Sequence, residues 1–281
     1  MKLLFTAILL AFFVLPSTAQ DDTDQAAIRC YYRFIQKQKT GNIILQDTLT
    51  LDVGSRMSRY YDERKLQQDS AFQSILSNLT PGKITSISII KDAAPDLFDL
   101  SLGDTYRSNT YDGISEQIFK NRKNDTIIIL NTPAGPLSPD RYKVVDSIGK
   151  LNWTITPDTA VFFNYPCQKA ALRFRGRNYE AWFTLQIPIN DGPWKFFGLP
   201  GLILKVKDSE EQFDFECIGL EYQKTPYMIE IPKQKYFECS RKDYNKVIKN
   251  KNSGQAVNIN GGNVTIANFK MDSSFPMMEL E

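Results

Sequence analysis

The feature that most constrains the fold is a side-chain period of two that runs through most of the chain. Over residues 26–34, Ile28, Cys30, Tyr32 and Phe34 alternate with more polar neighbours, and over 45–53 the same face carries Leu45, Asp47, Leu49, Leu51 and Val53. A helix needs apolar residues three or four apart, whereas alternation lines up one face of a strand. Residues 84–90, 126–130, 142–145, 160–163, 170–174, 181–187, 202–206, 213–220 and 228–231 are further short runs rich in branched and aromatic side chains, as strands are. Turn formers separate them at Thr40-Gly41-Asn42, Pro81-Gly82, Gly135-Pro136 and Asn190-Asp191-Gly192-Pro193. The expected fold is therefore mainly β: an antiparallel, strongly curved sheet or half-open barrel with one or two helices.

Two segments break the period. Over residues 64–78, Phe72, Ile75, Leu76 and Leu79 share a helical face, and Pro81-Gly82 stops the run. Ser240 with Asp243 three residues on reads as a capping box that opens a basic helix through Lys249, since each side chain can satisfy a free N–H of the first turn. Its lysines, Lys242, Lys246, Lys249 and Lys251, read as a solvated face rather than a site for an anionic ligand.

The first 19 residues read as a secretory signal peptide. Lys2 precedes an apolar stretch from Leu3 to Leu15, Pro16 breaks it, and Ser17 and Ala19 are the small residues of a cleavage site after Ala19. That stretch is shorter than the roughly 20 residues a spanning helix needs, so the chain is expected to be exported to the periplasm or outer-membrane surface and not to span a membrane. Residues 20–263 read as a single β-rich domain and 264–281 as a weakly ordered tail. A formal net charge of +2 gives no field for nucleic acid.

The 281 residues include no histidine. That removes Ser-His-Asp triads, Cys-His dyads and imidazole ligands, and no cofactor or metal site is expected. Four cysteines, Cys30, Cys167, Cys217 and Cys239, lack any CxxC spacing. In an oxidising compartment one or two disulfides are allowed; a hairpin could join Cys217 to Cys239, while buried free thiols are the alternative.

One stretch concentrates breakers and core formers together: Gly192 to Leu204 reads GPWKFFGLPGLIL. The spacing predicts two bends, at Asp191-Gly192-Pro193 with positive φ at Gly192, and at Gly198-Leu199-Pro200-Gly201, before a strand resumes at Leu202. No Lys-Ser or Lys-Thr closes it, so it is no P-loop. Its glycines allow close backbone approach while its aromatics plug one end of a barrel; alternatively Trp182, Trp194, Phe196, Phe197, Leu199 and Pro200 rim a mouth for a ligand or partner.

Gly198-Leu199-Pro200-Gly201-Leu202-Ile203 resembles the signature of the GLPGLI family, exported proteins of Bacteroidetes-type bacteria. Trp153, Asp158-Thr159, Tyr165-Pro166-Cys167-Gln168-Lys169-Ala170, Ala181-Trp182-Phe183-Thr184 and Ile187-Pro188-Ile189 carry the resemblance through residues 150–207. One departure is Phe163-Asn164 before Tyr165, where members usually have glycine. The resemblance implies envelope work beside outer-membrane receptors of the TonB-dependent kind, with no settled activity. The expected function is binding of an apolar small molecule, a peptide or such a receptor. One alternative is a carboxylate-based hydrolase using Asp191 with Asp208, or Glu180 with Asp191; another is copper handling by Met271, Met277, Met278 and the cysteines.

Overall fold

A computed structural model describes residues 23–77, 86–90, 97–102, 104–109, 113–131, 141–250, 257–259, 262–264 and 278–279. The expected signal peptide, Met271, Met277 and the turns at Pro81-Gly82 and Gly135-Pro136 lie outside them. The elements are β1 (Thr23–Lys37), β2 (Ile43–Val53), β3 (Met57–Tyr61), α1 (Glu63–Ser77), β4 (Ser86–Ile90), β5 (Leu97–Leu102), β6 (Asp104–Asn109), β7 (Gln117–Asn121), β8 (Thr126–Asn131) and β9 (Tyr142–Ser147). There follow β10 (Thr154–Phe162), β11 (Tyr165–Phe174), β12 (Arg177–Thr184), β13 (Leu202–Asp208), β14 (Phe213–Glu230), β15 (Phe237–Cys239), α2 (Arg241–Asn250), β16 (Val257–Ile259) and β17 (Gly262–Val264).

Twelve strands form one sheet in the order β10-β11-β12-β13-β14-β1-β2-β3-β7-β8-β9-β15, while β4-β5-β6 and β16-β17 pair separately. The fold is mainly β, as alternation requires, and the large sheet does not close into a barrel. Its pairs are antiparallel except β15 with β9. The sheet curls strongly. Arg175, in the β11–β12 turn, reaches Asp146 on β9 at 2.8 Å, although β12 and β9 stand eight places apart in strand order. Laid flat, eight strand spacings would be about 38 Å.

The inner face carries the core. Cys30, Tyr32 and Phe34 of β1 cluster with Leu49 and Leu51 of β2, Ile127 and Ile129 of β8, Ala181 and Phe183 of β12 and Phe215 of β14. A smaller cluster on the other face joins Ala26, Met57, Phe119, Leu130, Ile229 and Ile231. Because β3 sends Met57 to one cluster and Tyr60 to the other, both of its faces are covered and it shows no alternation.

Both helices form. Asp62 caps α1, accepting the Lys65 N–H at 2.9 Å. At α2, Ser240 Oγ accepts the Asp243 N–H at 3.2 Å and donates to the Asp243 carboxylate at 2.7 Å. The β10–β11 turn needs no glycine, because Phe163 and Asn164 take φ of 49° and 62° themselves. That is the left-handed pair a two-residue hairpin demands.

The hairpin that would join Cys217 to Cys239 is absent. Cys217 lies on β14, which pairs with β1 and β13, whereas β15 pairs only with β9. All four thiols are free, and Cys30, Cys167 and Cys217 are buried. Burial pushes the Cys217 thiol up to about 12. They act as small apolar core side chains.

Candidate functional site

The connection from β12 to β13 enters the curled sheet instead of passing over its rim. Residues 191–197 are buried without a break. An irregular buried segment must find partners for its backbone polar groups, and this one does. Asp191 Oδ1 accepts the Gly192 N–H at 2.8 Å, and the Phe196 N–H bonds the Pro193 carbonyl at 3.0 Å. Asn190 accepts the Gly198 N–H, and Lys120 donates to the Gly192 carbonyl. Trp153 Nε1–H donates to the Phe197 carbonyl at 2.7 Å, and the Tyr32 hydroxyl to the Ile203 carbonyl at 2.6 Å.

Two glycines serve close approach. A Cβ on Gly201 would overlap the Thr184 carbonyl, and one on Gly192 would strike the Ile203 side chain. The positive φ expected at Gly192 falls instead on Trp194, at 51°. Asp191, expected as a turn former, does more. It is fully buried and sits between Lys120 Nζ and Arg122 Nη1, each at 2.5 Å. Burial alone would raise its carboxyl, but the two cations beside it outweigh that and hold it below the usual carboxylate range.

Of the plug and the rim weighed for these aromatics, the buried ones form a plug. Trp194, Phe196, Phe197 and Leu199 are core residues, and Leu202 and Ile203 are fully buried on β13. Phe196 packs edge-on against Tyr179 at 4.8 Å and against Trp194 at 5.2 Å. Trp153 tilts over Phe196, centroid to centroid 6.1 Å. Pro200 is exposed. Trp182 points the other way, to the outer face of β12.

That outer face holds the open concavity, about 540 Å³, between β10 and β14. Its aromatic floor is Phe162 and Trp182, whose rings lie 5.3 Å apart, together with the edge of Phe213. Lys37, Lys169, Lys205 and Lys207 line it, with Glu180, Glu211 and Asp214 among them. Lys169 pairs with Glu180 at 2.9 Å and lies 5.9 Å from the Trp182 ring. Lys205 pairs with Glu216 at 2.9 Å and lies 5.5 Å from the Phe162 ring. The bond to Glu180 raises the Lys169 ammonium.

The carboxylates weighed for hydrolysis do not share a cleft. Asp191 faces Lys120, Glu180 faces the outer groove, and Asp208 is buried against Arg177 at 3.1 Å. Asp208 also accepts the N–H groups of Gln212 and Phe213 at 2.7 and 2.8 Å. A carboxyl pair lies elsewhere, at Asp47 and Asp62. Burial, reinforced by Asp62, pushes the Asp47 carboxyl up to about 7, and no donor among the described residues reaches its second oxygen. Asp47 sits on the inward register of β2 with Leu49 and Leu51. An aspartate at a core position was the available signal. Among the described residues no set of three or more Cys, Asp and Glu is placed to hold a metal ion, and no helix is long and apolar enough to cross a membrane. Met278, weighed only in the alternative of copper handling, packs against the core.

Comparisons with known proteins place this architecture among others. Residues 174–205, from the end of β11 through most of β13, match the family described as "Protein of unknown function (Porph_ging)". No curated protein matches the chain. Two solved structures titled as PNGF-II, in the P21 and C2 space groups, are similar to it with TM-scores of 0.50 and 0.51, each at 15% identity. The match takes in 82% and 81% of this chain but 34% and 33% of theirs. The chain thus spans about a third of the PNGF-II chains, and at that identity the likeness concerns the fold alone.

Proposed function

We propose that the chain is an exported envelope protein of the GLPGLI group that recognises a segment of a partner protein on the outer face of β10–β14. The observation that carries this reading is the groove itself. Phe162 and Trp182 are only partly buried, form one apolar floor, and are ringed by Lys37, Lys169, Lys205 and Lys207. Such a floor takes a flat or apolar side chain, and the lysines take acidic ones. The family resemblance makes an outer-membrane receptor the partner of choice. An apolar small molecule inside the sheet fits less well, because the chain's own residues 191–199 fill that space.

The test is affinity purification of the wild-type and Trp182→Ala/Lys205→Ala chains from the native envelope, read by quantitative mass spectrometry. The expected result is a partner that falls about tenfold or more with the double variant, while its melting temperature stays near wild type. Equal capture by the two chains overturns the proposal.

A further inference from the structure

Among the described residues, Lys195 is one of two lysines buried in the core, and its partner comes from far along the chain. Its Nζ lies 2.6 Å from Glu279 Oε1 and 3.5 Å from Asp146 Oδ2. Arg241, at the start of α2, donates Nε–H to Glu279 Oε2 at 2.9 Å. One carboxylate is therefore held by an ammonium on one oxygen and a guanidinium on the other. The seat is larger than its occupant: Arg241 Nη2 is buried with no hydrogen-bond partner, although a guanidinium fork can grip a carboxylate through two nitrogens.

The neighbouring residue is seated too. The Tyr179 hydroxyl donates to the Met278 carbonyl at 2.8 Å. The Met278 side chain borders a small cavity of about 20 Å³ with Phe34, Tyr60, Trp194 and Phe215. A space of that size takes one water or a somewhat larger side chain. The segment expected as a weakly ordered tail thus has its two described residues bound at three points: backbone carbonyl, apolar side chain and carboxylate.

We propose that Lys195, Arg241 and Tyr179 form a peptide-binding site for an acidic segment of a partner protein, one with an apolar residue directly before Asp or Glu, and that Met278–Glu279 is its resident occupant. The argument is one of charge. Without Glu279, Arg241 has no acidic partner among the described residues, and Lys195 keeps only Asp146 at the longer distance. A buried cation left unpaired is costly, so the site holds an anion at all times, its own or a partner's. Glu116, half-buried near Lys195 and Glu279, has its carboxyl raised by burial, with Lys195 opposing that shift.

The experiment uses the full chain carrying Glu279→Ala and, as probe, a synthetic peptide Pro-Met-Met-Glu-Leu-Glu copied from residues 276–281, followed by calorimetry. The variant is expected to bind the peptide more than about tenfold tighter than wild type, because truncating a buried charge pair vacates the seat. Binding is expected to vanish when Arg241→Gln is added, or when the first Glu of the peptide is replaced by Gln. A folded Glu279→Ala chain that ignores the peptide, or takes the Gln peptide equally well, overturns the site. If Glu279→Ala does not fold, Glu279→Gln keeps the shape and answers the same question. A stable wild-type dimer by light scattering, dissociated by the peptide, assigns the seat to a second copy and overturns the partner proposal.

Discussion

Inside the sheet, Lys120 and Arg122 close on Asp191 with almost no exposure; outside it, Lys169 and Lys207 close on Glu180 in the open. Both places also bring aromatic rings together, Trp194 edge-on to Phe196 within and Phe162 tilted against Trp182 without. The residue types are the same and the energetics differ. Removing one partner of a dry pair leaves an uncompensated buried charge, at a cost of about 3–5 kcal/mol. A wet pair is screened and contributes about 0–1 kcal/mol. The inner cluster holds the fold, and the outer one can exchange a protein partner for water at little cost.

The sharpest way to break that contrast is steric. Gly201→Ala places a methyl against the Thr184 carbonyl, which belongs to the neighbouring strand and cannot rotate away. The expected loss exceeds about 4 kcal/mol, the range of severe core defects, and circular dichroism should find little folded protein. Asp191→Asn comes next. It strands Lys120 and Arg122 and should destabilise by about 3–5 kcal/mol in urea titrations. A loss under about 1 kcal/mol would mean that the inner cluster behaves like the outer one.

How much of this was legible beforehand depends on which residues obey alternation. β1 and β8 bury mainly one face and β2 alternates apolar with polar side chains, so Tyr32, Ile127 and Leu49 announce themselves. β3 is covered on both faces, and β7 turns Lys120 inward, so neither shows the pattern. The bends around residues 192–201 could be read from glycine and proline. That the loop dives into the core could not, because the lysine and arginine that receive it lie about 70 positions earlier. For the same reason the sequence favours a plug at Trp194 and Phe197 but leaves a rim open. Trp182, on the outward register of β12, and Pro200 are the expected site residues that stay accessible.

The Asp47–Asp62 pair tests the interior by pH. Unfolded, Asp47 loses its proton near 3.8, and folded at about 7. Between those values the folded state holds the extra proton, so stability is full below pH 4 and declines as pH rises through 7. The ceiling is on the order of 1.4 kcal/mol per pH unit. Arg64 opposes the shift, while buried Tyr60 offers the pair no charge. Asp47→Asn should flatten that slope in urea midpoints taken from pH 4 to 8; an unchanged slope means that the carboxyl titrates normally. Trp153→Phe is milder. It keeps the ring over Phe196 but leaves the Phe197 carbonyl without its donor, for about 1–3 kcal/mol.

The smallest expected effect is the one that separates the two regions most clearly. Glu180→Gln removes the partner of Lys169 and Lys207 on the outer groove. Both lysines keep access to water, so the stability change should stay under about 1 kcal/mol. It should shrink further in 1 M salt, where the screening length is about 3 Å. Binding should move the opposite way. With Glu180 gone, Lys169 loses its competing carboxylate beside Trp182, and capture of an acidic partner should strengthen. A variant that costs several kcal/mol, or whose effect ignores salt, would place Glu180 with Asp191 as a structural charge and remove the outer groove as a recognition surface.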